Sequence, residues 1–163
     1  MTFLKELIIS IEKSLESKNW HAALAVALIL PDICGKIDTP DKHSRRRYEI
    51  WFDKYVKKFY MIQESIGSAM ISGGDCYAIR CALLHEFSDD LTEHKARNIL
   101  NQYKFYSPDS GMNVHRIKEQ GNGFLLEIRV DEFCNTICYG VSGWLNELHA
   151  SGKDISTLVK IYE

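Results

Sequence analysis

The chain has 163 residues, enough for one domain with a single buried core. Its 45% hydrophobic and 26% charged residues exclude a disordered or fibrous chain. A formal net charge of −2 supplies no overall basic field, so any binding of nucleic acid needs a local patch.

The opening segment, MTFLKELIISIEKSLESK, predicts a helix over residues 2–17, with Phe3, Leu4, Leu7, Ile8, Ile11 and Leu15 on one stripe. Glu6 and Glu12 within it do not suit a secretory h-region, so none is expected there. Asn19 caps a second helix over Trp20–Leu30, which Pro31 is expected to end. Its apolar run, Ala22–Leu30, is too short to cross a bilayer, so no membrane is expected and the location reads as cytoplasmic. A third helix is expected from about Asp41 to Tyr60. Tyr48, Trp51, Phe52, Tyr55, Val56 and Phe59 recur along it at core-forming spacing.

A short helix is expected around Met61–Ile71. Ser72-Gly73-Gly74 then breaks the pattern, and Asp75 caps a segment apolar on every face as far as Phe87, the signature of a central helix. A further short helix is expected near Leu91–Arg97. Residues 98–107 read as a strand, Pro108–Gly111 as a turn, and Asn113–Gln120 and Gly123–Val130 as a hairpin joined by Gly-Asn-Gly. Asp131 caps a last helix that buries Phe133, Ile137, Val141, Trp144, Leu145 and Leu148 and ends near Gly152. The expected fold is therefore mainly α. It is a single domain over residues 1–163, a helical bundle with a small antiparallel three-stranded β meander at about residues 98–130 before the last helix.

Five cysteines (Cys34, Cys76, Cys81, Cys134 and Cys138) include no CxxC pair. That spacing does not suit zinc, and small buried thiols of a reducing compartment account for it; no metal and no cofactor is expected. Gly73-Gly74 lacks the spacing of a phosphate loop, Ser142 has no nucleophile setting, and Asp89-Asp90 reads as a solvated loop.

Two residues interrupt the apolar segment before its closing Glu86: Arg80 and His85. A guanidinium in such surroundings needs a partner, with Asp32, Glu49 and Asp53 the candidate carboxylates, or must line a polar cavity. His85 falls at the helix end, where the C-terminal dipole favours the protonated imidazole. An arginine beside a titratable histidine suits ribonuclease chemistry: the imidazole moves the proton of a ribose 2′-hydroxyl or protonates the leaving oxygen, and the guanidinium balances charge on the phosphorane. Five positions separate the two, about 140° around an ideal α-helix, so they converge only if the helix unwinds at His85 or a second chain supplies the partner.

The run Arg80-Cys81-Ala82-Leu83-Leu84-His85 resembles the Arg-x4–6-His motif of the HEPN superfamily. Where that family often has asparagine after the arginine, this chain has Cys81. The resemblance implies an all-helical body, metal-independent endoribonuclease activity in a defence or toxin–antitoxin setting, Arg80 and His85 as catalytic residues, and a homodimer that builds one cleft. A protein partner such as an antitoxin or regulator also fits it. Lys42, His43, Arg45, Arg46 and Arg47, with Lys54, Lys57 and Lys58 beyond, form a basic cluster able to steer an RNA backbone; Arg45, Arg46 and Arg47 are the candidate RNA contacts. Asp41, Glu49 and Asp53 dilute that cluster, as on a solvated face. The alternative is a non-catalytic helical protein-interaction module in which Arg80 and His85 form a structural network.

Overall fold

The computed structural model describes residues 3–60, 71–113 and 115–152. Helix α1, Phe3–Glu16, buries Leu4 and Ile11 against α2, Trp20–Asp38. Asn19 caps α2 by accepting from the Ala22 amide, as expected. The helix does not stop at Pro31, however, but runs seven residues past it to Asp38. Proline removes one amide and crowds the preceding turn, a local penalty of about 3 kcal/mol. Buried Pro31, Cys34 and Gly35 on the continuing face outweigh it. At Gly35 a Cβ would sit 2.6 Å from the Arg47 carbonyl, so only glycine allows the close packing of α2 on α3. By length and apolar composition α2 is also the one helix among the described residues that matches a membrane span, with a mean hydropathy of 1.4.

Helix α3 is shorter than expected, Ser44–Tyr55, followed by a 3₁₀ turn at Lys57–Tyr60. Its aromatic stripe is core: Tyr48, Trp51 and Phe52 are almost wholly buried, while Phe59 is half exposed. The helix expected around Met61–Ile71 lies outside the described residues, save Ile71. Helix α4, Gly73–Cys81, passes directly into a single π turn, Ala82–Glu86. Its cap is Ser72 and not Asp75. Asp75 is the third residue of a capping box, in which each side chain accepts from the other's backbone amide. No helix forms at Leu91–Arg97; that stretch is a series of turns, one closed by the Asp90 carboxylate on the amide and hydroxyl of Thr92.

The three strands are β1 (Leu100–Tyr106), β2 (His115–Gln120) and β3 (Gly123–Arg129). They form a mixed sheet in the order β1-β3-β2, not an antiparallel meander. The Gly121-Asn122 turn fixes β2 and β3 as the expected hairpin. Strand β1 pairs in parallel with the far edge of β3, Tyr103 opposite Leu126 and Phe105 opposite Ile128. The connection at residues 107–114 is long enough that no tight turn forces β1 against β2, and β2 with its flanks serves as the crossover. Glu127 at the centre ties the sheet together, accepting from Arg116 and Lys118 of β2 and from the Tyr106 hydroxyl of β1 at 2.9 Å. The Arg116 guanidinium foremost holds its carboxyl down to about 2.

Helix α5, Val130–Ala150, closes the fold and buries the six apolar residues expected of it. Trp144 meets Trp51 edge to face and donates to Asp38 at 3.0 Å. One hydrophobic cluster joins residues from all five helices and the sheet.

Candidate functional site

Asp75, fully buried, shows how the segment that carries Arg80 is held. Its Oδ1 accepts from the amides of Asn98, Ile99 and Leu100 at 2.7, 2.9 and 3.0 Å, and its Oδ2 accepts from the amide and hydroxyl of Ser72. The start of α4 is thereby fastened to the start of β1. Gly73 and Gly74 belong to the same joint. A Cβ on the first would lie 2.6 Å from the Glu49 Cα, and on the second 2.4 Å from the Ala96 carbonyl oxygen. The Gly73 amide also donates to Asp53 at 2.7 Å.

From this joint α4 carries Arg80 to a cluster at the junction with α2 and α3. Because α2 continues beyond Pro31, Asp32 faces that junction. Its Oδ1 accepts from Arg47 Nε at 2.8 Å, and both its oxygens lie 3.1 Å from the Ser44 hydroxyl. Arg80 stands further off, with Nη2 3.7 Å from Asp32 Oδ2 and its side chain 17% exposed. Its guanidinium lies 5.6 Å from the centre of the Tyr77 ring, and Nη1 approaches the Cys81 sulfur only at 4.0 Å. Arg80 Nε is buried without a hydrogen-bond partner among the described residues. A guanidinium carries five N–H donors, and here none reaches a protein oxygen at normal hydrogen-bond distance among those residues. Arg80 is held by charge and by an aromatic face, with no oxygen among the described residues taking its donors.

The neighbouring arginines divide between two carboxylates. Arg45 Nε and Arg46 Nη1 both donate to Glu49, at 2.7 and 3.4 Å, and both arginines extend into solvent. Four guanidiniums thus share Asp32 and Glu49 among the described residues, and the cluster is net positive. Of the candidate RNA contacts, Arg47 joins Arg80 on Asp32, while Arg45 and Arg46 form the outer rim. Beneath them Tyr48 meets Cys76 at 3.3 Å; burial pushes the Cys76 thiol up to about 12 and raises the Tyr48 phenol as well. Burial also raises the Tyr77 phenol, so all three stay neutral under Arg80 at physiological pH.

His85 sits on the π turn and is exposed. A turn closed by i→i+5 hydrogen bonds takes more residues per revolution than an α turn, so it narrows the angle between positions 80 and 85. No hydrogen bond joins His85 to Arg80 among the described residues; the imidazole faces solvent and the guanidinium the cluster. Reading the sequence missed Ser44 and Tyr77, the former concealed as a helix start and the latter as one more aromatic in an apolar run.

The cysteines are all free, and no three histidine, cysteine or acidic side chains among the described residues group as metal ligands. Comparison of the chain with protein-family models, curated proteins and solved structures yields no match.

Proposed function

We propose that the chain is a metal-independent endoribonuclease of HEPN-like kind, with Arg80 as the phosphate-binding residue and His85 as the general acid/base. The donors of Arg80 carry the reading. A guanidinium that is anchored yet lacks close oxygen partners among the described residues is prepared to take a phosphate oxygen, and Arg47 beside it adds a second positive charge. Arg45 and Arg46 lie where they steer an RNA backbone inward. The π turn leaves His85 exposed one wide turn beyond Arg80, and in this reading its imidazole serves the ribose adjoining the bound phosphate. The reading includes a homodimer, in which a second copy brings its own pair to a shared cleft.

The Arg80–Asp32 ion pair favours the second reading, a non-catalytic interaction module in which the cluster simply pins α2, α3 and α4 together. One assay separates the two. Single-stranded RNA is incubated with the purified chain in excess EDTA, and cleavage is followed beside His85→Ala and Arg80→Lys. The nuclease reading expects chelator-resistant cleavage and a loss of about 10²–10⁴-fold in folded His85→Ala protein. Intact RNA with the parent, or undiminished cleavage by His85→Ala, refutes it.

A further inference from the structure

Phe87 is the most exposed large apolar side chain described, at 92%, and it occupies a left-handed backbone conformation, φ +53° and ψ +38°. The position after a helix end ordinarily goes to glycine, for which that conformation is free of strain. Here the chain places a phenyl group there and leaves it in water, so neither packing nor backbone ease accounts for the residue. Beside it opens a groove of about 480 Å³, lined by Leu83 and Leu84 of the π turn, Ala25 and His21 of α2, and Tyr103 of β1. The groove has built walls: the Tyr103 hydroxyl donates to the Ser88 carbonyl at 2.6 Å, and Asp89 accepts from Gln102 at 2.7 Å.

The rim has one dominant sign. Glu86 and Asp89 are both exposed, and Asp89 itself lines the groove. Such a rim attracts cations. The arginine cluster at Asp32 and Glu49 draws on other residues, while His85, between groove-lining Leu84 and the exposed Glu86, borders this side. We infer that this groove is a docking site for a protein segment with apolar anchors flanked by lysine or arginine. The anchors enter between Phe87 and Leu83, Leu84 and Ala25, and the flanking cations meet Glu86 and Asp89. Exposed aromatic anchors beside a pocket are the usual energetic centres of such contacts. The inference rests on this groove alone and stands whether or not the chain cleaves RNA.

The test uses fluorescence anisotropy with three labelled probes: a short peptide of leucine and phenylalanine anchored between lysines, the same peptide with glutamates for lysines, and an oligouridylate. The lysine peptide should bind saturably, and Phe87→Asn, which tolerates the left-handed backbone, should weaken it about tenfold. Glu86→Lys should weaken it as well, and the glutamate peptide should not bind. Equal binding of both peptides, or indifference to Phe87→Asn, overturns the inference. So does displacement of the peptide by oligouridylate, which makes the groove a base-stacking site. A dimer that dissociates in Phe87→Asn overturns it too, because a second copy is then the occupant. A thermal melt of each variant verifies that it is folded.

Discussion

Removing the Asp75 carboxylate should damage this fold more than its chemistry suggests, because one side chain serves two elements. In Asp75→Ala the amides of Asn98, Ile99 and Leu100 lose their shared acceptor, and Ser72 loses its partner in the capping box. Asn98 is exposed and turns to water, whereas Leu100 is buried and Ile99 half-buried. An orphaned buried amide costs about 1–3 kcal/mol, and Ser72 loses its acceptor although its own cap bond to the residue-75 amide remains. Relief from burying a carboxylate offsets part of this, which leaves a net loss of about 3–5 kcal/mol. That is a large share of the stability of an ordinary domain, about 5–15 kcal/mol. Asp75→Asn keeps one carbonyl oxygen for the three amides and should lose only about 1–2 kcal/mol. Urea unfolding measures both, and amide exchange at Leu100 reports the local loss. An Asp75→Ala protein within about 1 kcal/mol of the parent would refute the reasoning, since one orphaned buried amide alone accounts for that much.

Phe87→Gly should stabilise the chain: relief of left-handed strain, about 1–2 kcal/mol, exceeds the added freedom of glycine in the unfolded state, about 0.4–1 kcal/mol, while the 92% exposed phenyl forfeits little burial. A scanning-calorimetry Tm below that of the parent would contradict this. Glu127 has a folded pKa depressed to about 2, chiefly by Arg116, so its contribution is complete above the ordinary carboxylate range and is lost as pH falls from there towards 2. Stability followed by urea titration through that window should fall more steeply for the parent than for Glu127→Gln, and parallel curves would exclude the linkage.

Periodicity alone made α1, α3 and α5 legible, because each buries one stripe and its apolar residues repeat accordingly. Pro31 misled, since the penalty of a proline is local while the packing that outweighs it, Gly35 on the Arg47 carbonyl, comes from another helix. The place of β1 was not legible either: the Gly-Asn-Gly turn announces its own hairpin, but nothing in Leu100–Tyr106 states which edge of β3 it will join. At the candidate site Arg80 declared itself by its apolar neighbours, and Asp32 was among the carboxylates it required. The sharing of Asp32 with Arg47 and Ser44 depends on how α2 and α3 meet, which no local pattern records. The π turn had no local mark, since the Ala82–Glu86 residues suit an α-helix equally well. The Phe87 groove did have one: an aromatic residue followed by Ser-Asp-Asp at a helix end where glycine is usual.

The order in which the sheet and α5 follow the other helices bears on how the protein is made. During synthesis β1 emerges before β3, its parallel partner, and Trp51 with Tyr55 emerges long before Trp144 and Gly140, against which that face packs. The nascent chain therefore carries an uncovered Trp51–Tyr55 face on α3 and a strand with no partner until residues 123–150 leave the ribosome. Chaperone demand should concentrate in that interval. A ribosome stalled before β3 should present a protease-sensitive chain, and one stalled well past α5 a resistant chain, with little gradation between them.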